Sequence, residues 1–465
     1  MNGSQDLVVL GAGPAGLAAA WRAARRGLKV TLLERADRVG GLAGSFEVAG
    51  QRVDHGSHRL HPSTPPRLIA DLRSMLGPDL QTRPRNGRLR IEGRWIGFPL
   101  QAGELTRELP PSMVAKVAGE SVTSPFRRPK NDTYAGVLKA GLGPTLYNSV
   151  YAPYAEKLWG LPGNKISSVQ ARRRVSADTA WKIAARVVGG RRGDGSGRFF
   201  YYPRRGFGQI VAALADSASA AGAEIRLEAE VDSVRVFENE VMVGTQDGDT
   251  ISAGYAFSTL PLPVLARIAR PAPSLADIES AARLRFRAML LVYVVHPGGR
   301  WTSFDAHYIP GRETPITRIS EPANYRDSAD DPTDRSVLCA EIPCAMTDEV
   351  WGLDDESLGD VVDEALARTG LPAVDRLHVE SRRLGQVYPV YRVGFENDLA
   401  GVDNWARMLR RVVTFGRQGL FAHDNTHHAL IMAYDAVDAL RDDGRFDRYA
   451  WTAARQRFDR HVVED

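Results

Sequence analysis

The chain has 465 residues, 43% of them hydrophobic and 25% charged, which suits a folded protein with a large core and two or more domains. A net charge of only +4, with acids interspersed among the arginines, argues against a nucleic-acid-binding protein, and runs such as Arg172-Arg173-Arg174 read as solvated faces or anion sites. The two cysteines, Cys339 and Cys344, lack metal-like spacing and exclude a disulfide scaffold, so a reducing compartment is expected and no metal site.

The first predicted element is an apolar strand through Val8-Val9-Leu10, which enters a glycine-rich turn and then an alanine-rich helix. In this G-x-G-x-x-G unit Gly11 permits the tight turn, Gly13 lets backbone approach a pyrophosphate, and Gly16 lets the helix pack close to the strand. The helix N-terminus then offers free N–H groups to phosphate. A second strand, Lys29 to Leu33, ends at Glu34, eighteen residues beyond Gly16, where an acid accepts hydrogen bonds from adenosine ribose. An acid at position 34 also argues against a 2′-phosphate, and the N-terminus shows no secretory leader pattern. The next landmark is Arg38-Val39-Gly40-Gly41. This second glycine pair resembles the FAD superfamily that contains amine oxidases, protoporphyrinogen oxidase and UDP-galactopyranose mutase. FAD is therefore the expected cofactor.

Further along, Ser45 to Val48 reads as a strand, 66–76 as a helix, and 88–99 as a hairpin turning at Glu92-Gly93. Helical spacing broken by Gly and Pro marks 101–188 as an inserted domain, and 191–197 reads as a loop. The chain returns at 203–260 with an amphipathic helix from about Ile210 to Ala218 and strands at 225–227, 231–234 and 256–260. Several β-type runs between 275 and 395, with a helix over 355–369, predict a mixed-sheet substrate domain. The strand signal at 412–419 and a helix over 427–440 complete the chain. The fold class expected is α/β: a discontinuous Rossmann-type FAD-binding domain (1–100, 200–270, 400–465), a helical insertion (101–199) and a substrate domain (271–399). No run is apolar enough to cross a membrane, and a cytoplasmic location is expected.

Five segments narrow the resemblance to UDP-galactopyranose mutase, in the same order along the chain: Asp54 to His61, Tyr154 to Gly160, Pro315 to Ile319, Tyr388-Pro389 and Phe415-Gly416-Arg417. The resemblance implies a flavin held by Gly11, Gly13, Pro14, Ala15, Gly16, Glu34, Arg35, Gly40, Gly41, Leu42, Gly56, Ser57, His58, Val231, Gly416 and Asn425. It implies Arg318, Arg417, His61 and Tyr388 at the reacting centre, and Tyr154, Trp159, Arg173, Arg174 and His423 around the substrate. The bland alternatives stay open: Trp159 as core, Tyr154 as a helix contact, His58 and His61 as structural histidines. Arg318 and Arg417 each lie in an apolar strand signal, where a buried guanidinium needs a partner such as an anionic flavin or a phosphate. Asn425 or Thr426 is placed to cap the last helix, whose positive end would favour negative charge on reduced flavin.

The activity implied is rearrangement of a nucleotide sugar between pyranose and furanose forms through N5 of reduced FAD, without net redox change. A departure from the mutase pattern is Ala177 where a diphosphate-binding arginine is expected, with Arg173 and Arg174 nearby. Others are His423 and Asn425 in place of a tyrosine and an aspartate. The competing reading is an FAD-dependent oxidase or dehydrogenase of an amine, alcohol or C–C bond. A small-molecule substrate and a homodimer are the partners expected.

Overall fold

The computed structural model describes residues 5–98, 107–174 and 199–463. Two sheets organise it. The first has eight strands, in the order Ala269–Arg270, Val231–Val236, Val241–Thr245, Thr250–Ser258, Gln5–Leu10, Val30–Leu33 and Glu224–Arg226, with Val412–Thr414 pairing to Thr250–Ser258. Gln5–Leu10 lies parallel to both its neighbours, so that Leu10 faces Ser258 on one side and Leu33 on the other. Its unbroken apolar run is explained by burial on both faces. Leu7 and Val9 point into a core shared with the helices Pro14–Arg25, Gln209–Ala220 and Thr426–Asp438. Val8 and Leu10 point into an opposite core shared with Leu262–Ile268 and Phe395–Met408. Pro14 supplies the first turn of its helix without wasting an N–H, and the alanines behind it leave room for close contact with the sheet.

The second sheet has seven strands, ordered His378–Pro389, Phe286–Pro297, Arg335–Cys344, Arg318–Ser320, Ala306–Tyr308, Gly87–Ile91 and Arg94–Phe98. Alternation along Phe286–Pro297 assigns its faces. Leu290, Val292 and Val294 pack with the helix Asp355–Thr369, while Met289, Leu291, Tyr293 and Val295 meet the hairpin Ser45–Asp54. This second face is the one turned toward the nucleotide-binding lobe. The expected hairpin at Glu92-Gly93 is present, both residues having positive φ (48° and 77°). It pairs with Ala306–Tyr308 of the second sheet, across the boundary drawn at residue 100.

Helices Tyr134–Leu142, Ala152–Trp159 and Ser168–Arg174 share a core including Tyr134, Tyr147, Leu158 and Trp159, whereas Pro111–Thr123 packs through Met113 and Val117 on Ile91 and Ile96 of the hairpin. The loop expected at 191–197, and Ala177, lie outside the described residues. Among the described residues no helix is long and apolar enough to cross a membrane.

Candidate functional site

Three segments distant in sequence meet at the N-terminus of the helix Pro14–Arg25. Gly11 has φ +100°, and a Cβ there would come 2.5 Å from Thr259 Oγ1. A Cβ on Gly16 would lie 1.9 Å from Gly11 O, so strand and helix pack at a distance only glycine allows. Gly13, by contrast, would meet nothing within 4 Å: space is left open in front of the helix. The second glycine pair folds back on this turn, Gly40 N donating to Ala12 O at 2.8 Å and Gly41 standing 3.4 Å from Gly13 Cα when given a Cβ. Gly416 (φ +79°) brings the C-terminal segment against Ala15, 3.1 Å from a built Cβ. Glu34 accepts from Ala12 N (2.8 Å) and Ala36 N (3.0 Å), which fixes its carboxylate beside the turn. Arg35 is exposed. Val231 packs at the edge of the adjoining core, after a segment whose amides at 228 and 229 donate to Ala36 O and Glu34 O. A cradle with uncapped helix N–H groups, an anchored acid and open space at Gly13 fits an adenine dinucleotide.

Beyond the cradle lies a pocket of about 50 Å³ lined by Leu42, His55, Gly56, Ser57, His58, Met289, Leu291, Arg318, Glu341, Leu384, Val387, Tyr388 and Arg417. Glu341, 4% exposed, is its anchor. The carboxylate accepts from Arg318 Nε (3.0 Å), from Arg318 Nη2 (2.8 Å to each oxygen) and from Ser57 N (2.8 Å). Against burial, which pulls the other way, Glu341 holds Arg318 firmly protonated. Ser57 Oγ also hydrogen-bonds Tyr325 OH. His58 stacks on Phe207 with ring centroids 5.2 Å apart, its Nδ1 closed off without a partner. Burial, helped by Arg318, drops its pKa to about 3, so His58 is neutral at physiological pH.

Arg417 differs from Arg318. The strand expected there stops at Thr414, because Phe415 and left-handed Gly416 turn the chain into a short helical turn, Gly416–Gly419, that carries Arg417. Its guanidinium stacks over Tyr388, 4.9 Å from the ring centroid. Nε and Nη2 are closed off from solvent and lack a hydrogen-bond partner, and burial lowers its pKa. Tyr388 also lies 5.1 Å from the His423 ring, which meets Trp159 at 6.4 Å. Gln170, fully buried, donates from Nε2 to His423 Nδ1 at 3.0 Å. Burial together with Arg174, Arg417 and Arg173 keeps His423 neutral.

Arg173 pairs with Asp424 at 3.0 Å, and Arg174 lies 5.8 Å over Trp159. Trp159 is nonetheless core, 3% exposed with its indole edge against Tyr134. Tyr154 packs part-buried on the same core. His61 is turned away from the pocket lining: its Nδ1 is within 2.7 Å of Ser63 Oγ, and its ring stacks toward His427. Asn425 caps the helix Thr426–Asp438 through a reciprocal pair with His428, so its side chain serves the helix start.

Asp424, His428 and His461 present ligand atoms within 4.8 Å of one another, a grouping the sequence did not suggest. The two imidazoles are stacked, centroids 4.1 Å apart and planes 14° from parallel. Planes so disposed do not share a point where one ion lies in both, and Arg173 already neutralises Asp424. The cluster is a charge clamp on Asp424, whose carboxyl His461 and Arg173 hold low against the upward pull of burial.

Glu341, Gln170 and Lys157 were missed in the sequence. Glu341 had a signal, a lone acid in the apolar run Ser336 to Ile342, and Lys157 stands within the segment Tyr154 to Gly160.

The profile "Flavin containing amine oxidoreductase" matches residues 173–434, and "NAD(P)-binding Rossmann-like domain" matches 9–74. A phytoene dehydrogenase of Streptomyces griseus is 43% identical over 77 residues, 17% of this chain and only 15% of that protein. Solved structures share the fold, two of them as follows. A reduced UDP-galactopyranose mutase has TM-score 0.80 and 20% identity, covering 99% of this chain and 100% of its own. A putrescine oxidase variant has TM-score 0.67 and 17% identity, covering 94% and 98%. With the profile spanning more than half its length, the chain belongs to the flavin-containing amine oxidoreductase family and is a flavoenzyme that uses FAD.

Proposed function

We propose that this flavoenzyme acts on an anionic small molecule, and that the reaction is rearrangement of a nucleotide sugar rather than oxidation of an amine. The observation that carries the reading is Arg417, whose buried Nε and Nη2 lack partners beside the pocket. Arg318 is matched by Glu341, so of the two arginines lining the pocket Arg417 is the one without a carboxylate partner among the described residues. A buried guanidinium without an acceptor is costly, and an anion relieves that cost. FAD supplies N5 as the reacting atom.

In this reading Arg318, steadied by Glu341 and Ser57, faces the flavin ring. Arg417 binds the nucleotide phosphate or the anionic ring, and Tyr388 keeps the Arg417 guanidinium flat against its own face. His423 is fixed by Gln170 as the tautomer protonated at Nε2, so it serves as a hydrogen-bond donor to a sugar or phosphate oxygen. His58 is a neutral filler under Phe207 rather than an acid.

The second reading, oxidation of an alcohol or a C–C bond, draws on the apolar half of the pocket, Met289, Leu291, Leu384 and Val387. The test is to titrate UDP and UDP-hexoses into oxidised and dithionite-reduced protein while following flavin absorbance and oxygen. Turnover confined to reduced protein, with no oxygen consumed, supports the mutase reading. Bleaching of oxidised flavin by an amine or alcohol alone refutes it.

A further inference from the structure

Lys157 stands on the helix Ala152–Trp159, between Tyr154 and Trp159. Its Nζ donates to three main-chain carbonyls: Ile309 O at 2.6 Å, and Gly311 O and Ile316 O at 2.7 Å each. These acceptors belong to the loop 309–317, which leads directly into Arg318. At its far end Thr317 donates to Glu341 O from both N (2.9 Å) and Oγ1 (3.1 Å), and Glu341 in turn holds the Arg318 side chain. Ile309 and Ile316 anchor the two ends of the loop in the core of the second sheet, while its middle, Arg312 to Pro315, borders with Lys157 a cavity of about 340 Å³. The second link between this helix and loop, Arg312 with Glu156, is an exposed pair (64% and 37%) and holds little. Burial pulls the Lys157 pKa down to about 7, with Glu313 opposing, so the three-donor ammonium predominates below neutral pH.

We propose that Lys157 is a positioning residue whose ammonium keys the helix bearing Trp159 to the loop bearing Arg318, so that the placement of Arg318 against the flavin is set from the helical insertion. This rests on the reading that Arg318 faces the flavin. A peptide carbonyl is a directional acceptor, and three converging on one ammonium define a point in space more closely than any single pair. Without Nζ, the middle of the loop loses its buried tie to the helix, and the approach to Arg318 is set by the sheet alone.

The test uses the FAD-loaded protein and four variants: K157M, K157Q, R312A and R318M. Far-UV circular dichroism, the flavin spectrum and the two-electron midpoint potential are measured for each. K157M is expected to keep its FAD and fold but to lose at least tenfold in the relative stabilisation of reduced flavin, a fall of about 30 mV. K157Q, retaining two donors, falls between K157M and wild type, and R312A matches wild type. R318M is expected to fall at least as far as K157M.

If R318M moves the potential and K157M does not, the Lys157 assignment alone is overturned. If R318M leaves the potential unchanged, the placement of Arg318 fails and the proposal fails with it. A K157M protein that melts earlier with unaltered spectrum and potential also overturns it, as does failure of both Lys157 variants to fold, because Lys157 would then serve the fold as a whole.

Discussion

Replacing Arg417 with Met separates what the residue costs the fold from what it gives to binding. In the flavin-free protein two buried guanidinium nitrogens lack acceptors. Each such group costs roughly 1–3 kcal/mol, while the stacking over Tyr388 returns about 0.5–1 kcal/mol. Methionine keeps the apolar stem and removes both unmet donors. The R417M apoprotein is therefore expected to be more stable than wild type by about 1–5 kcal/mol in urea unfolding. Anion affinity moves the other way. Loss of one charge-assisted hydrogen bond, about 1.5–3 kcal/mol, weakens UDP or pyrophosphate binding by roughly 10- to 150-fold in calorimetric titration. Repeating the unfolding with FAD bound locates the partner. If the flavin itself satisfies Arg417, the stabilisation disappears in the loaded protein; if the substrate does, it persists. An R417M apoprotein less stable than wild type, with anion binding intact, would refute the reasoning.

Further substitutions probe other parts of the site. G13A places a methyl in open space and is expected to leave apoprotein melting unchanged while weakening FAD at least tenfold; G16A, 1.9 Å from Gly11 O, is expected to lose stability as well. Normal FAD binding by G13A would contradict the cradle. E341Q leaves Arg318 without its buried counter-charge and is expected to cost about 3 kcal/mol in denaturant unfolding, with a raised flavin potential. An unchanged unfolding midpoint would dismiss that assignment.

His307, 1% exposed, accepts from Arg88 Nε at 2.7 Å, and burial lowers its pKa to about 3. The unfolded chain therefore takes up the proton first. Stability from His307 is complete above about pH 6.5 and falls by up to about 1.4 kcal/mol per pH unit toward pH 3. In H307Q that part of the slope should vanish from acid-unfolding curves.

The nucleotide cradle was legible because its glycines lie within one turn. Gly16 answers to Gly11 O inside the same strand–turn–helix unit and Gly13 keeps open space in front of the helix, although the close neighbour of Gly11 is the distant Thr259. The parallel sheet was legible for a similar reason, since a strand buried on both faces reads as a continuous apolar run at 7–10. The pocket beyond it was not. Ser57 reaches Glu341 across 284 positions, and Lys157 reaches Ile309 across 152, distances over which spacing carries no information. Arg417 was placed on a strand because Val412 to Phe415 is a largely apolar strand-like run; the left-handed Gly416 ends it. His61 looked catalytic beside Gly56, but Ser63, two residues on, takes its imidazole. The hairpin 87–98 showed its turn and not its sheet, because the partner strand lies at 306–308.

Charge matching across the molecule sharpens the choice between the two chemistries. Arg59 meets Asp305, Arg173 meets Asp424, Arg318 meets Glu341 and Arg326 meets Asp331, each within salt-bridge distance and each acid buried or nearly so. Among the described residues Arg417 has no carboxylate at that distance. Of the two arginines lining the pocket, Arg318 has its acid and Arg417 does not. A protonated amine about 5 Å from that guanidinium meets roughly 3 kcal/mol of repulsion at an effective dielectric of 20, more than a hundredfold in affinity. An anion at the same distance gains a comparable amount. Structures with this fold include a UDP-galactopyranose mutase and a putrescine oxidase, and Arg417 is the observation that supports the proposal of an anionic ligand for this chain.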